Sequence, residues 1–291
     1  MAGRIVRLSR PLVLLLTALT YVLGASIPAY LGKSFNDSTF WLGLACVLLG
    51  QLSMSLLAEV FRPHNEPLIE NETPAQKESL RNNVLYISVA SLTTYIVLAY
   101  ILLANYQLTI SAFYFLLLSL ILILSYSLPP VRLLDRGFGE LALAAHIAYV
   151  IPSIGFLLRA GENHLLLTVI IIPLTLLALA YFLVLNFPSF ASDQKYQRNT
   201  LLRRLTWERA VPLHHSLIIL TYILFLAAPS FGFSFRLLWP AFLTLPFAIF
   251  QILQLRGIAL GGPPNWPLLN STALSVFGLT TYFLTLTFWL R

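Results

Sequence analysis

Hydrophobic positions run through this chain in long blocks, without the strict alternation of a strand or the narrow stripe of a soluble amphipathic helix. Nine blocks stand out, at about 11–31, 40–61, 83–104, 108–127, 139–159, 164–187, 211–229, 235–255 and 269–290. A hydrocarbon core near 30 Å takes roughly 20 helical residues at about 1.5 Å rise each, so every block predicts one membrane-crossing helix. The blocks are rich in Leu, Ile, Ala and Phe and carry no dyad pattern, which excludes a β-barrel. Some polar intervals are short, as at Asn105-Tyr106-Gln107 and Gly161-Glu162-Asn163. Three are long: Arg62 to Asn82, Pro129 to Arg136, and Asp193 to Arg209. No repeat or linker divides the chain, so residues 1–291 read as a single all-α integral membrane domain.

Composition sharpens this picture. Only 10% of the residues are charged, against 58% hydrophobic content and a mean hydropathy of +0.81, where soluble domains carry about 25% charge. A water-soluble enzyme, a disordered chain and a coiled coil are excluded. The net charge of +7 offers no soluble basic face for nucleic acid. Sorted by interval, it becomes a topology. With the N-terminus in the cytoplasm, the outer segments hold Lys33, Arg159, Arg236 and Arg291, and the remaining 14 of the 18 Lys and Arg fall inside. That asymmetry predicts an odd number of spans in the cell membrane, N-in and C-out, with all three long loops on the cytoplasmic face. The first block follows Arg4, Arg7 and Arg10, is long enough to span and has no A-x-A-like exit, so it reads as a helix and not a removable signal. Cys46 lies within an apolar run and reads as a small buried hydrophobe.

Candidate chemistry gathers on the cytoplasmic side. Glu59 ends the second block, where a carboxylate is costly unless it meets a cation, a metal or water. Glu59, Arg62 and Glu66 share one face if the helix continues; Pro63 and Pro67 oppose continuation, and a helix stopped there would leave Glu66 on the loop. Taken alone, Glu59 and Arg62 make a helix-end ion pair worth a few tenths of a kcal/mol. Asp193 is followed by Lys195, Arg198, Arg203 and Arg204, a carboxylate beside several cations that suits a metal–diphosphate head group and equally a loop that fixes topology. Gly137 and Gly139 turn the chain into the fifth block, and Glu140 sits at the positive end of that helix. His146, deep in the fifth block, reads as a neutral side chain hydrogen-bonded to a facing helix, and His214-His215 has no metal-ligand spacing.

Taken together, the loops resemble the UbiA superfamily of intramembrane aromatic prenyltransferases, closest to its menaquinone-type and related members, over nearly the whole chain. Arg10-Pro11 followed by Gly24 is similar to that family's first helix. Tyr126-Ser127-x-Pro129-Pro130-x-Arg132-Leu133 with Arg136-Gly137-x-Gly139-Glu140 follows its Y-[ST]-x-P-P-x-R-L…R-G-x-G-E stretch. Asn186-Phe187-Pro188 through Asp193-x-Lys195, then Thr200-Leu201 and Glu208-Arg209-Ala210, follows its second acidic motif and the segment beyond. The resemblance implies nine helices around a central cavity, with a Mg2+-bound isoprenyl diphosphate at the cytoplasmic mouth and its tail in a groove open to lipid. It implies Glu59, Glu66 and Asp193 as metal ligands, with Glu59, Asp193 and Tyr126 at the chemistry. Arg10, Arg62, Arg132, Asn186, Ser189, Lys195 and Arg198 are the implied substrate contacts.

The departures fall on the acids. The first motif, N-D-x-x-D-x-x-x-D, has become Ala58, Glu59 and Arg62, and its last acid is either Glu66 or lost in a shortened loop that aligns Glu66-Pro67-Leu68 with the family's Arg-Pro-Leu. In the second motif Ser189 replaces the first Asp and only Asp193 remains. The expectation is therefore at most one weakly held Mg2+, bridged by Glu59 and Asp193. Two functions follow from the resemblance. One is transfer of an isoprenyl group from a polyprenyl diphosphate to an aromatic or related acceptor, such as a quinone or pigment precursor. The other is a catalytically degenerate relative that binds an isoprenoid lipid, quinone or pigment, as a subunit of a larger membrane complex.

Overall fold

The computed structural model describes residues 2–34, 36–63, 66–68, 73–106 and 108–290. Gln107 and Arg291, which entered the sequence reading, and residues 64–65 and 69–72 of the Arg62 to Asn82 interval lie outside the described residues. Every regular element among the described residues is helical. Among the described residues, nine helices are long and apolar enough to cross a membrane: α1 (Pro11–Tyr30), α2 (Asp37–Val60), α3 (Ala75–Asn105), α4 (Ile110–Ser127), α5 (Gly139–Ala160), α6 (Leu165–Leu185), α7 (Leu201–Leu226), α8 (Phe235–Ala259) and α9 (Trp266–Trp289). This is the architecture of an integral membrane protein.

Local chemistry sets the helix ends. The side chains of Asn36, Thr109, Thr200 and Asn265 cap α2, α4, α7 and α9 by accepting from backbone N–H groups in the first turn. Thr73 and Gln76 form a reciprocal capping box. That box starts the third helix well before the apolar block does, so the segment from 74 to 82 is a polar helical extension and not loop. The seventh helix likewise begins at Leu201, ten residues before its apolar block, and breaks at Thr206 (φ 60°, ψ 168°). In α5 the segment His146–Val150 is a single π-helical turn.

α5 is the most enclosed span, with 78% of its apolar window buried, and α3 the most peripheral, with 22%. α1 packs along α5 on one side and α9 on the other, which closes the bundle. The α1–α5 approach depends on missing side chains. A Cβ on Gly24 would fall inside the Pro152 carbonyl, and one on Gly155 would collide with the Tyr21 carbonyl oxygen. At membrane depth, His146 of α5 bonds Ser119 of α4 (2.9 Å) and Gln51 of α2 (3.0 Å), tying three helices together. Cys46 is fully buried, as its apolar surroundings require. A short helix, Ala2–Leu8, precedes α1, and Leu8 packs with Leu56 and Val60 of α2, Leu80 and Val84 of α3, and Leu68 between those helices.

Candidate functional site

Four segments converge at one end of the bundle: Arg10 ahead of α1, the exit from α2, the α4–α5 connection, and the α6–α7 connection. α2 ends at Val60, and Pro63 keeps it from continuing, so Arg62 and Glu66 stand on the loop. The three side chains nevertheless meet. Glu59, 4% exposed, accepts from Arg10 (3.1 Å) through Oε1 and lies 2.5 Å from Arg62 through Oε2. Arg62 also reaches Glu66 (3.5 Å) and donates to the Pro67 carbonyl (2.9 Å). Arg198 grips Glu66 with two nitrogens, one of them Nε at 2.8 Å, and lies 3.6 Å from Asp193. The result is an alternating row: Arg10, Glu59, Arg62, Glu66, Arg198, Asp193.

The α6–α7 connection supplies the other wall. Ser189 donates to Asp193 Oδ2 (3.1 Å) across the short helix Phe190–Lys195. Asn186 donates to Glu140, whose Oε1 also accepts from the Leu201 N–H (3.0 Å) at the start of α7. Glu140 thus splices three helix ends together. The dipole role at α5 explained only part of its placement. Arg132 donates to the Phe61 and Ala58 carbonyls at the end of α2 and meets Asp135 at 3.1 Å, so its cation also satisfies a helix C-terminus.

These groups surround a cavity of about 420 Å³. Of the residues singled out from sequence, Arg10, Glu59, Arg62, Tyr126, Arg132, Asn186, Asp193 and Arg198 line it. Glu66 stands behind Arg62 and Arg198, and Ser189 behind Asp193. Lys195 is exposed and lies over the Tyr196 ring, outside the cavity wall. Glu140 and Thr200, quoted in the matching motifs but given no part in the site, also line the cavity, as does Asp135, which the sequence did not single out; Leu143, Tyr181, Phe182 and Leu185 form an apolar depth. The register was legible: Leu143 is one helical turn beyond Glu140, and Phe182 one turn before Asn186.

Several features mark this cavity as more than packing. Glu140 Oε2, Asp193 Oδ1 and the Tyr126 hydroxyl are buried there without a directed hydrogen bond, an arrangement native interiors rarely leave unanswered. Arg10 (φ 52°), Arg132 (φ 33°) and Gln197 (φ 57°), the residue before Arg198, hold left-handed backbone conformations, which are unfavourable for residues with a Cβ and cluster at functional sites. Burial raises the Asp193 carboxyl above the usual carboxylate range, an effect that Ser189 and the charges of Arg203 and Arg62 only partly oppose. Burial, with the positive charge of Arg62 beside it, pulls Arg198 down to about 10; it remains a cation at neutral pH.

Glu59, Glu66 and Asp193, the acids expected to hold Mg2+, do not fit it as a ligand set. That ion needs several oxygen ligands in near-octahedral array. Here a guanidinium stands between each neighbouring pair of candidate carboxylates, Arg62 between Glu59 and Glu66, and Arg198 between Glu66 and Asp193. Among the described residues, no three His, Cys, Asp or Glu side chains come together to hold a metal.

By sequence, the chain matches no protein-family model and no curated protein. By structure, it is similar over 99% of its length to 98% of a UbiA homolog from Archaeoglobus fulgidus bound to GPP and Mg2+, with a TM-score of 0.68 and 16% identity. A digeranylgeranylglyceryl phosphate synthase matches over 99% of this chain and 97% of its own (TM-score 0.67, 13% identity). An apo UbiA homolog from Aeropyrum pernix K1 matches over 92% and 95% (TM-score 0.59, 12% identity). These matches give the chain the fold of the UbiA homologues.

Proposed function

We propose that the chain is a membrane prenyltransferase of the UbiA type, whose cavity receives an isoprenyl diphosphate and passes the isoprenyl group to an aromatic or related acceptor. The observation that carries the reading is the cavity itself: four guanidinium groups at its mouth and an apolar, aromatic depth one helical turn further in. A diphosphate is a multiply charged acceptor of hydrogen bonds, and planar guanidinium groups match its oxygens. In transfer, the bond from the isoprenyl C1 to oxygen breaks with its electron pair going to the diphosphate. The acceptor then attacks the allylic cation and releases a proton. Arginines at the mouth stabilise the charge that develops on the leaving group. Tyr181, stacked on Phe277 at 5.8 Å, offers a π face near the path of the cation.

A second reading is favoured by the pairing of Glu59, Glu66 and Asp193 with arginines: the cavity binds an isoprenoid lipid, quinone or pigment without transfer. One experiment separates the two. Purified protein is given farnesyl or geranylgeranyl diphosphate with candidate phenolic acceptors, and diphosphate release is followed. Transfer predicts release that drops by about tenfold or more in Arg198→Gln, which removes one of the cations facing the leaving group. Release no faster than in that variant, with the fold intact, leaves only the binding reading.

A further inference from the structure

We propose that Arg62, supported by Arg198, takes the place of a divalent cation in this cavity, so that the chain holds an isoprenyl diphosphate head group without metal. The inference rests on the diphosphate reading above and names the chemistry that performs the binding. It starts from the alternating row at the mouth. A metal bridging carboxylates would occupy the space between them, and here that space is taken by side chains that are cations at neutral pH. Arg62 contacts Glu59 at 2.5 Å and Glu66 at 3.5 Å, and Arg198 spans Glu66 and Asp193.

Charge supports the substitution. Arginine in place of the aspartate of the resembling motif changes the local charge by two units, as much as one divalent cation brings. Geometry supports it as well. Arg62 is held from behind by the Pro67 carbonyl (2.9 Å) and from the sides by two buried carboxylates, which fixes the guanidinium before any ligand arrives. Both Arg62 and Arg198 line the cavity, while Glu66, which anchors them, does not. The arginines thus face the ligand and the acid holds them in position.

The test uses the purified chain and geranyl S-thiolodiphosphate, an analogue whose bridging sulfur resists cleavage, with calorimetry in EDTA and in millimolar Mg2+. Equal affinity in both is expected. Arg62→Asp, which restores an acid, should weaken binding in EDTA by roughly ten- to a hundredfold and make it responsive to Mg2+. Arg62→Gln, which keeps a donor near the Pro67 carbonyl, should weaken binding similarly in both buffers, and it guards against a charge reversal that unfolds the mouth. Wild-type binding that requires Mg2+ overturns this inference and leaves the prenyltransferase reading standing. Binding in neither buffer overturns that reading as well. Unchanged affinity in both Arg62 variants also overturns the inference.

Discussion

Asp193 illustrates what a buried acid at the cavity mouth costs the fold. Its carboxyl is raised above its ordinary range chiefly by burial, so the folded chain binds a proton there more tightly than the unfolded chain. The stability this group contributes is full below its unfolded pKa and is lost as the pH rises through its folded pKa. Asp193→Asn therefore raises the unfolding temperature at neutral pH, and the gain shrinks to nothing in acid, where both forms are neutral. Thermal unfolding in detergent at neutral and acidic pH checks this; an equal gain at both would refute it. A residue retained at a cost in stability suits a site selected for binding or chemistry. Asp193 and its following cations were visible in sequence. The raised carboxyl was not, because it comes from the walls packed around it.

At the scale of helices, the crossing of α1 and α5 aligns the mouth. α1 begins next to Arg10 and α5 carries Glu140 in its first turn, so the spacing of the two helices sets the distance between opposite walls. Gly24→Ala places a methyl group inside the Pro152 carbonyl. It is expected to cost roughly 1–3 kcal/mol by overpacking and to weaken diphosphate-analogue binding as Arg10 moves. Gly278→Ala, also in a span, meets only Leu16 and Leu274 at ordinary contact distances (3.6 and 4.0 Å) and should leave both properties within error. Unfolding midpoints and calorimetry on the two variants decide it. Existence and number of the helices were legible from apolar blocks. Two starts were not, because Thr73 and Thr200 open their helices in polar sequence, where capping and not hydrophobicity sets the boundary.

At the scale of the whole molecule, the polar ends of the bundle differ. One end carries the cavity and its row of charges. The other holds the Lys33–Glu162 pair (3.3 Å) and Arg159 donating to the carbonyls of Ala25, Lys33 and Ser34. We propose that the cavity end faces the cytoplasm, as the distribution of Lys and Arg indicates. A membrane-impermeant maleimide should label Glu162→Cys in intact cells and Lys195→Cys only after permeabilisation; both positions are exposed, and Cys46 is buried and silent. The reverse labelling pattern would invert the topology.

By itself, the sequence determined the membrane class, nine spans and the segments where charge gathers, because long apolar runs and sparse charges are one-dimensional signals. It also carried the resemblance in its loops. Only the tertiary structure decided what the sparse acids touch. Glu59, Glu66 and Asp193 are separated by well over a hundred residues in all, and the contacts that define their chemistry come from Arg10, Arg62 and Arg198 on three different segments. Whether a carboxylate faces a metal, a proton or a guanidinium depends on distances of a few ångströms across the fold, since charge interactions depend on separation, burial and hydrogen-bond geometry.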